Sequence, residues 1–335
     1  SIVFHQATFD VTVNATSGDF SPPIESQRVW GSLIRRFRKD FVKNFKSFAR
    51  ASVPCAPPFA KPPCVVTIKS RRIINPDTPN PLTLPWRNST MNPSKLNVIV
   101  TGGATGIGFG IASALAQAGH QVAIGSRRKE VVEQAAVEIQ KTGNLNVLGF
   151  PLDVTDRESV QAFVDQVHKT WGPVDVLVNA AGVNIKNRTI GEMRPEQWDE
   201  VLAINATGAY NMIHSILPEM RSRGSGTIIN ISSVTGKRAL ALGGVAYAAS
   251  KFAMTALGTC VANEVGAEGV RVTNIYPGEV DTPILEQRPV PVSEEQRQRI
   301  LRPSDVGSVV ASLVALPQRV HIPELVIKPV HQGYV

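Results

Sequence analysis

A glycine-rich turn constrains this chain more than any other feature. Residues 101–108 read Thr-Gly-Gly-Ala-Thr-Gly-Ile-Gly and stand between a predicted strand at 96–100 and a predicted helix at 107–117. Glycines at 102, 106 and 108 allow positive φ angles and remove Cβ atoms, so the backbone can approach a pyrophosphate. The helix that follows presents unpaired N–H groups and the positive end of its dipole to that phosphate. The turn therefore predicts a dinucleotide site, and the alternative is a glycine-rich turn that binds no ligand.

A second pattern, Tyr247-Ala-Ala-Ser-Lys251, places a phenol and an ammonium group four residues apart. Residues at i and i+4 share one face of a helix. A tyrosine with a pKa of about 10 is a poor base at neutral pH, and a nearby ammonium group stabilises its phenolate and lowers that pKa. The pair predicts proton transfer to a carbonyl group or from an alcohol, with the Ser233 hydroxyl bonding the substrate oxygen. The spacing also arises by chance, and Ser232 and Ser233 can equally be polar residues at a strand end.

Predicted strands and helices alternate after residue 95, which indicates a parallel sheet with helices on both faces. We see no internal boundary, so we predict one α/β domain over residues 91–335, a Rossmann-type, doubly wound parallel sheet of seven strands. Ligands of such sheets bind at the carboxyl ends of the strands. The predicted strands are 97–101, 121–125, 146–151, 174–179, 226–232, 270–276 and 324–327, and the predicted helices are 106–118, 129–142, 157–170, 195–223, 246–266 and 304–315.

Further motifs follow in a fixed order along the chain. Residues 179–182 read Asn-Ala-Ala-Gly, Asn205 stands in a predicted helix, and Pro277-Gly278 precedes Thr282. Together with the glycine turn and the serine, tyrosine and lysine named above, these motifs make residues 96–282 resemble the classical short-chain dehydrogenase/reductase family. The turn matches the TGxxxGxG motif of that family, and residues 179–182 match its NNAG segment with alanine at position 180.

The resemblance implies an NAD(P)-dependent enzyme that transfers a hydride between the nicotinamide and a carbonyl group or secondary alcohol. It implies that Tyr247 is the general acid or base, that Lys251 also bonds the nicotinamide ribose, and that Asn205 helps to hold a water that relays protons. With Ser233, these residues are the expected catalytic set. The residues expected to bind the cofactor are Gly102, Thr105, Gly106, Ile107, Gly108, Ser126, Arg127, Arg128, Asp153, Val154, Asn179, Ala180, Gly182, Tyr247, Lys251, Pro277, Gly278, Val280 and Thr282.

The end of the second predicted strand favours NADP over NAD. Proteins that bind NAD usually carry an acidic residue there, which bonds the ribose 2′-hydroxyl. Here Ser126 takes that position and Arg127 and Arg128 follow it. Guanidinium groups pair with a 2′-phosphate, often through two hydrogen bonds, whereas a carboxylate repels it. The alternatives are that both arginines are solvated charges at a helix entry, and that Asp153 caps the next helix instead of contacting the adenine.

Residues 1–90 differ in composition from the rest of the chain. They hold 13 Lys and Arg, 5 Asp and Glu and 11 of the 24 prolines. Apolar residues at helical spacing alternate with basic ones over 30–50, which predicts a basic amphipathic helix. No methionine precedes Met91, just ahead of the first predicted strand. We therefore interpret 1–90 as a disordered extension or non-native upstream sequence; a transit peptide or a membrane-surface anchor is the alternative.

The remaining composition limits partners and location. Residues 91–335 carry 22 basic and 22 acidic residues, which gives no sign of nucleic-acid binding. Three cysteines suggest no disulfide framework and suit a reducing compartment, and six scattered histidines predict no metal site. No apolar run reaches about 18 residues, so no transmembrane helix is predicted. We expect a cytoplasmic protein, or an organellar one if residues 1–90 direct it there.

The substrate is less constrained than the reaction. The short segment 279–302 weakly favours a small substrate, and the ending around Pro323 is more similar to short-chain 3-hydroxy acid dehydrogenases than to 3-oxoacyl-carrier-protein reductases. We expect a small 3-oxo or 3-hydroxy acid or a related carbonyl compound. The alternatives are a 3-oxoacyl-carrier-protein reductase and a non-catalytic protein that senses the cofactor on the same fold.

Two long helices suggest self-association. Predicted helices 195–223 and 246–266 carry apolar residues on both flanks, and some of these have no obvious partner within the chain. Members of the family commonly pair these helices with their copies, so the resemblance implies a homodimer or homotetramer. The residues on which this expectation depends are Ile204, Met212, Leu257 and Val261.

Overall fold

The computed structural model describes residues 95–143 and 145–333, together with three short strands nearer the start of the chain. The chain divides into two compact units, Ser1–Thr90 and Met91–Val335. The sequence predicts a disordered extension or non-native sequence for residues 1–90, and the helix predicted at 30–50 lies outside the described residues. The first unit contains an antiparallel sheet in the order β1 (Ile2–Gln6), β2 (Phe9–Asn14) and β3 (Thr67–Arg71).

The second unit is built on a sheet of seven parallel strands, which confirms the predicted fold class. The strand order is β10-β9-β8-β7-β4-β5-β6. Strands β4 to β6 are added toward one edge of the sheet and β7 to β10 toward the other, so the order reverses at the neighbouring strands β4 and β7. A crevice opens at such a reversal, at the carboxyl ends of the strands. The strands are β4 (Asn97–Thr101), β5 (Gln121–Ser126), β6 (Val147–Pro151), β7 (Val176–Asn179), β8 (Gly226–Ile231), β9 (Val270–Pro277) and β10 (Glu324–Ile327).

Helices cover both faces of this sheet, and most lie within two residues of the predicted bounds. There are two exceptions: the short helix Glu294–Arg297 matches no predicted element, and the helix predicted at 195–223 is interrupted by a π turn at Ala203–Thr207. Such turns widen the helix by one residue and are frequent at functional sites. The helices are α1 (Gly106–Gln117), α2 (Lys129–Lys141), α3 (Arg157–Trp171), α4 (Pro195–Leu202), α5 (Gly208–Arg223), α6 (Val245–Val265), α7 (Glu294–Arg297) and α8 (Pro303–Val314).

Alternating side chains of the central strands build one apolar core on each face. Val98 and Val100 of β4 pack with α1, α2 and α8, whereas Ile99 packs on the opposite face with α3, α5 and α6. All five residues of β4 are buried, because a parallel strand covered by helices on both sides exposes neither face. This double burial holds the carboxyl end of β4, where the glycine turn begins, in a fixed place.

One described helix is long and apolar enough to cross a membrane. The segment Val245–Glu268 has a mean hydropathy of 1.2. It nevertheless carries Ser250 and Lys251 as buried residues and packs against β9 and the turn after β8. The core helix of a folded domain passes the same test of length and composition, and these contacts make α6 such a helix.

Candidate active site

A cavity of about 160 Å³ opens at the carboxyl ends of β4, β7, β8 and β9. A larger groove of about 550 Å³ lies between α1 and α8, but none of the predicted catalytic residues lines it. The smaller cavity therefore marks the candidate site. Its lining includes ten of the predicted site residues, namely Ile107, Ala180, Gly182, Ser233, Tyr247, Lys251, Pro277, Gly278, Val280 and Thr282.

The glycine turn has the shape that close approach of a dinucleotide requires. Gly102 and Gly106 have φ angles of +64° and +56°. A Cβ on Gly102 would lie 2.8 Å from the Cα of Ala181, and one on Gly108 would collide with the carbonyl oxygen of Gly102. Gly108 thus serves close packing, since its φ is not positive. The Thr105 side chain makes no capping hydrogen bond at the start of α1, which leaves the N–H groups of that helix end accessible to a phosphate.

The Asn-Ala-Ala-Gly segment is held against the turn by Thr101. The hydroxyl of Thr101 accepts hydrogen bonds from the backbone N–H groups of Ala180 and Ala181, each at 3.1 Å. The Asn179 amide donates to Asn230 at 3.0 Å, while its own oxygen is buried and has no partner among the described residues. An unpartnered buried acceptor beside a turn that only glycine can form fits a bound dinucleotide.

The residues predicted to select the 2′-phosphate lie together at the end of β5. Arg127 and Arg128 are exposed, and the described residues provide no acidic partner for either guanidinium group. Asp153, after β6, accepts hydrogen bonds from the Thr155 N–H at 2.9 Å and hydroxyl at 2.7 Å, so it forms a local turn.

The next helix is capped elsewhere, and a neighbouring valine is fixed by packing. Asp156 caps α3 by accepting from the Glu158 N–H at 2.9 Å, so the alternative of Asp153 as the cap is wrong. Val154 is buried, and its carbonyl oxygen accepts from Asn211 at 2.9 Å.

Tyr247 and Lys251 project from one face of α6, as their spacing predicts. The Lys251 Nζ lies 5.6 Å from the centroid of the Tyr247 ring and donates to the Ile231 carbonyl oxygen at 2.8 Å. Burial raises the pKa of Tyr247, and the Ser233 hydroxyl and the charge of Arg188 oppose that rise. Burial lowers the pKa of Lys251 to about 8. Lys251 can therefore exchange a proton nearer neutral pH than an exposed lysine could. The pKa of Tyr247 is raised, which is opposite to the direction that the sequence predicts, because burial of the phenol outweighs the groups that favour its phenolate.

Ser233 and Ser232 have different surroundings, which distinguishes the two candidates. The Ser232 hydroxyl donates to the Lys251 carbonyl oxygen at 3.1 Å and lies 3.1 Å from the Thr255 hydroxyl, so it fastens the strand to α6. The Ser233 hydroxyl lies beside the Tyr247 phenol and accepts from the Thr235 N–H at 3.1 Å. Ser233, and not Ser232, is therefore the serine whose hydroxyl lies beside the Tyr247 phenol.

Asn205 lies in the π turn and contacts α6, the helix that carries Tyr247 and Lys251. It is fully buried; its amide oxygen accepts from the Val183 N–H at 2.8 Å, and its amide nitrogen donates to the Ser250 hydroxyl at 2.9 Å. A Cβ on Gly182 would lie 3.4 Å from both the Asn205 oxygen and the Lys251 Nζ. The missing side chain at Gly182 thus leaves a polar space between these two groups.

Three charged residues of the cavity are missed by the sequence analysis. Arg188, Glu279 and Arg288 line the cavity with Tyr247. Arg188 is 8% exposed, and burial and the charge of Arg288 lower its pKa while Tyr247 opposes that shift. None of the three belongs to a recognisable motif; Glu279 and Arg288 stand in the 279–302 segment that the sequence associates with the substrate, whereas Arg188 lies outside it.

The depressed pKa of Lys251 predicts how stability depends on pH. Its folded pKa is about 8, against 10.5 for an accessible lysine, so above pH 8 the folded protein binds fewer protons than the unfolded one. The contribution of this residue to the free energy of unfolding then rises with pH. Relative to Lys251→Met, we expect the wild type to gain ~2–3 kcal/mol between pH 8 and 10. Urea unfolding at each pH measures the difference.

The exposed Lys129 provides the matched control for this measurement. Its side chain is 63% exposed, so the curves of Lys129→Met and the wild type should run parallel. Parallel curves for Lys251→Met as well would mean that the ammonium group at position 251 is not desolvated by the fold.

The chain was compared with known protein families and curated proteins. The family described as short chain dehydrogenase matches residues 96–290. Acetoacetyl-CoA reductase of Rhizobium meliloti is 38% identical over 201 residues, which cover 59% of this chain and 79% of that protein. Glycine betaine reductase ATRR of Emericella nidulans is 33% identical over 236 residues, which cover 69% of this chain but only 18% of that much longer protein.

Solved structures of dehydrogenases and reductases share the fold of this chain. The closed form of serine dehydrogenase complexed with NADP⁺ is 30% identical and superposes with a TM-score of 0.65, over 71% of this chain and 96% of that one. Other structures with TM-scores of 0.60 to 0.63 contain NADP, NADPH or 5-hydroxy-NADP. A ketoacyl-carrier-protein reductase with a TM-score of 0.62 contains NADH.

Proposed function

The chain belongs to the short-chain dehydrogenase family and is an NAD(P)-dependent oxidoreductase; we propose that it interconverts a carbonyl compound and a secondary alcohol, with Tyr247 as the general acid or base. The observation that carries this proposal is the single cavity shared by Ser233, Tyr247 and Lys251 with the residues around the glycine turn. A protein that only senses the cofactor has no need of a phenol and an ammonium group at that point.

The site residues each take one part of the reaction. A bound reduced nicotinamide supplies the hydride that the carbonyl carbon gains. The Ser233 hydroxyl bonds the carbonyl oxygen, and Tyr247 donates the proton that converts this oxygen to an alcohol. The Lys251 ammonium group stabilises the resulting phenolate. The polar space between Lys251 and Asn205 is where a water would return the proton; in the oxidation of an alcohol every transfer runs in reverse.

NADP(H) is the cofactor. Arg127 and Arg128 are exposed at the end of β5 without an acidic partner in the described part of the chain, and several structural neighbours are complexes with NADP or NADPH. The glycine turn would hold the pyrophosphate at the start of α1, and the Thr282 side chain, 3.3 Å from a Cβ built on Gly106, would lie beside it. NAD remains the alternative, in keeping with the one neighbour that contains NADH.

The substrate is a carbonyl compound or the corresponding secondary alcohol, and a small 3-oxo or 3-hydroxy acid is the candidate that the sequence favours. Among the relatives, one acts on acetoacetyl-CoA and one on serine, which differ in size and charge. The test is NADPH oxidation by the full-length protein with a panel of aldehydes, ketones, 3-oxo acids and 3-oxoacyl thioesters. Cofactor binding without turnover of any compound would favour a sensing protein instead.

Residues 91–335 form the catalytic domain in this proposal, and the cytoplasm is its expected location. All predicted site residues lie in the compact unit Met91–Val335. The described residues contain one cysteine, Cys260, which is free and exposed, and this suits a reducing compartment. The described residues contain no cluster of His, Cys, Asp and Glu that could hold a metal ion.

We also propose a homodimer or homotetramer, but on different residues from those the sequence suggests. Ile204, Met212 and Val261 are buried and, with Leu257, pack in the protein's own core, because these positions of α5, α6 and the π turn face the sheet. The exposed apolar residues of the same helices are instead Tyr210 at 42%, Val245 at 41% and Phe252 at 43%.

If the protein associates through these helices, a charge at Phe252 should lower the mass of the protein in solution. We expect light scattering to give a dimer or tetramer mass for the wild type and a lower mass for Phe252→Glu, because an interface of more than ~1,000 Å² would then bury a charge at its centre. Val137→Glu is the control, since Val137 is 47% exposed on α2. A monomeric wild type with full activity would contradict the proposal.

A further inference from the structure

We propose that the substrate carries a carboxylate group, which Arg188 and Arg288 bind beside the catalytic tyrosine. The inference deepens the proposed function and rests on it. The observations that support the inference are the charges and contacts of the cavity, and these do not depend on the sequence motifs.

The charge of Arg188 is buried without an opposite charge. Its guanidinium group donates to three backbone carbonyl oxygens, of Ile185 at 2.8 Å, Gln287 at 2.9 Å and Leu242. A guanidinium group has five N–H donors, so two stay available. The described residues include no carboxylate in contact with it. Hydrogen bonds to carbonyl groups leave the net charge in place, and a buried uncompensated charge is costly. An anion in the cavity would remove that cost.

Arg288 brings a second cation to the same cavity. Its Nη2 lies 3.3 Å from the Glu279 carboxylate, and this pair is well buried, with side-chain exposures of 12% and 19%. Glu279 also accepts from Gln296 at 3.3 Å, so its negative charge is shared. The described lining of the cavity therefore holds three cationic groups, Arg188, Lys251 and Arg288, against the single carboxylate of Glu279.

The rest of the lining sets the size of the anion. Apolar side chains surround the charged groups, and the whole cavity measures about 160 Å³. Because residues expected to bind the cofactor share this cavity, only part of its volume is open to the substrate, which suits a short carbon chain whose carboxylate is close to the carbonyl group. Because Arg188 ties together three loops, at 185, 242 and 287, the position of its guanidinium group is fixed before any substrate binds. A neutral thioester or ester of the same acid offers these cations no charge to pair with.

The experiment compares an acid with its neutral ester. Acetoacetate and methyl acetoacetate are reduced with NADPH, and the ratio of their kcat/KM values is measured at pH 7. We expect the wild type to prefer the acid, and Arg288→Gln to lower the ratio by about 10- to 100-fold, because a charge-assisted contact is lost. Glu279→Gln removes the only anion of the described lining and should raise the ratio. Arg297→Gln is the matched control, since Arg297 pairs with Asp281 outside this cavity, at 2.6 Å.

A binding measurement gives a second readout that needs no turnover. In the presence of NADPH, which cannot react with an alcohol, 3-hydroxybutanoate should bind the wild type more tightly than methyl 3-hydroxybutanoate. The difference should shrink in Arg288→Gln and persist in Arg297→Gln. An equal change in the affinities for the acid and the ester would overturn the inference, because Arg288 would then not act through the carboxylate.

The outcomes separate this inference from the proposed function. Equal use of acid and ester by the wild type, or a ratio that Arg288→Gln leaves unchanged, would overturn the inference while the reductase activity stands. Preference for the ester or for a thioester would also overturn it and favour the carrier-bound alternative. Failure of every carbonyl compound in the panel would overturn the proposed function, and the inference with it.

Discussion

Tyr247→Phe is expected to lower kcat by ~10²–10⁴-fold and to leave the Kd for NADPH close to that of the wild type. The substitution removes only the hydroxyl that exchanges a proton with the substrate oxygen. The ring remains at its place on α6, 5.6 Å from the Lys251 Nζ, so the helix and the cofactor cleft should be preserved. Steady-state kinetics and a fluorescence titration with NADPH provide the two measurements.

The control for this variant is Tyr210→Phe. Tyr210 is 42% exposed on α5, and loss of its hydroxyl should leave kcat unchanged. A Tyr247→Phe enzyme with near-normal turnover would remove this residue from the mechanism and would leave Lys251 or a water as the proton donor. Loss of NADPH binding in parallel with turnover would instead show that the hydroxyl acts mainly on the cofactor.

The sheet could be predicted closely from the sequence because its strands are buried on both faces. A run such as Val-Ile-Val in β4 is apolar on both faces, as a strand covered on both sides requires. The sequence places this strand at 96–100 or 97–101, and it is observed at Asn97–Thr101. The predicted helices occupy the intervals between these strands. Fold class and ligand-binding edge follow from this alternation alone.

The interrupted helix could not be predicted, because its cause lies elsewhere in the chain. Asn205 bonds the backbone of Val183, 22 residues earlier, and the hydroxyl of Ser250, 45 residues later. Neither partner is close to Asn205 in the sequence, so the sequence pattern of 195–223 predicts one continuous helix. The wrong choice of surface residues on this helix and on α6 has a similar origin. A long helix has apolar residues on two flanks, and only the packing of the domain determines which flank contacts the sheet.

The charged residues of the cavity escaped prediction for the same reason. The position of the Arg188 guanidinium group is fixed by hydrogen bonds to the carbonyl oxygens of Leu242 and Gln287, which lie 54 and 99 residues further along the chain. A single arginine in a loop is usually solvated, and nothing nearby in the sequence distinguishes this one. Sequence motifs thus identify the groups that the chemistry of a family requires. Residues that distant loops bring together around a substrate can be recognised only once the structure is known.

Cofactor preference should depend strongly on Arg127. We expect Arg127→Ala to lower the ratio of kcat/KM with NADPH to that with NADH by ~10- to 150-fold, since a charge-assisted contact to a phosphate contributes about 1.5–3 kcal/mol. The exposed position at the end of β5 allows the substitution without loss of packing. Arg194→Ala is the control, because Arg194 is 66% exposed at the start of α4 and pairs with Glu196. Both ratios are measured with the same carbonyl substrate.

A second variant should change the same ratio of kcat/KM values through charge repulsion. Ser126 ends β5, and its hydroxyl lies 3.5 Å from the Arg128 carbonyl oxygen. Ser126→Asp places a carboxylate where it can bond a ribose 2′-hydroxyl and repel a 2′-phosphate. We therefore expect kcat/KM with NADH to rise while that with NADPH falls, whereas Arg127→Ala lowers only the value with NADPH. If both variants keep the wild-type ratio, the end of β5 does not read the 2′-phosphate, and the arginines there are solvated charges at the entry to α2.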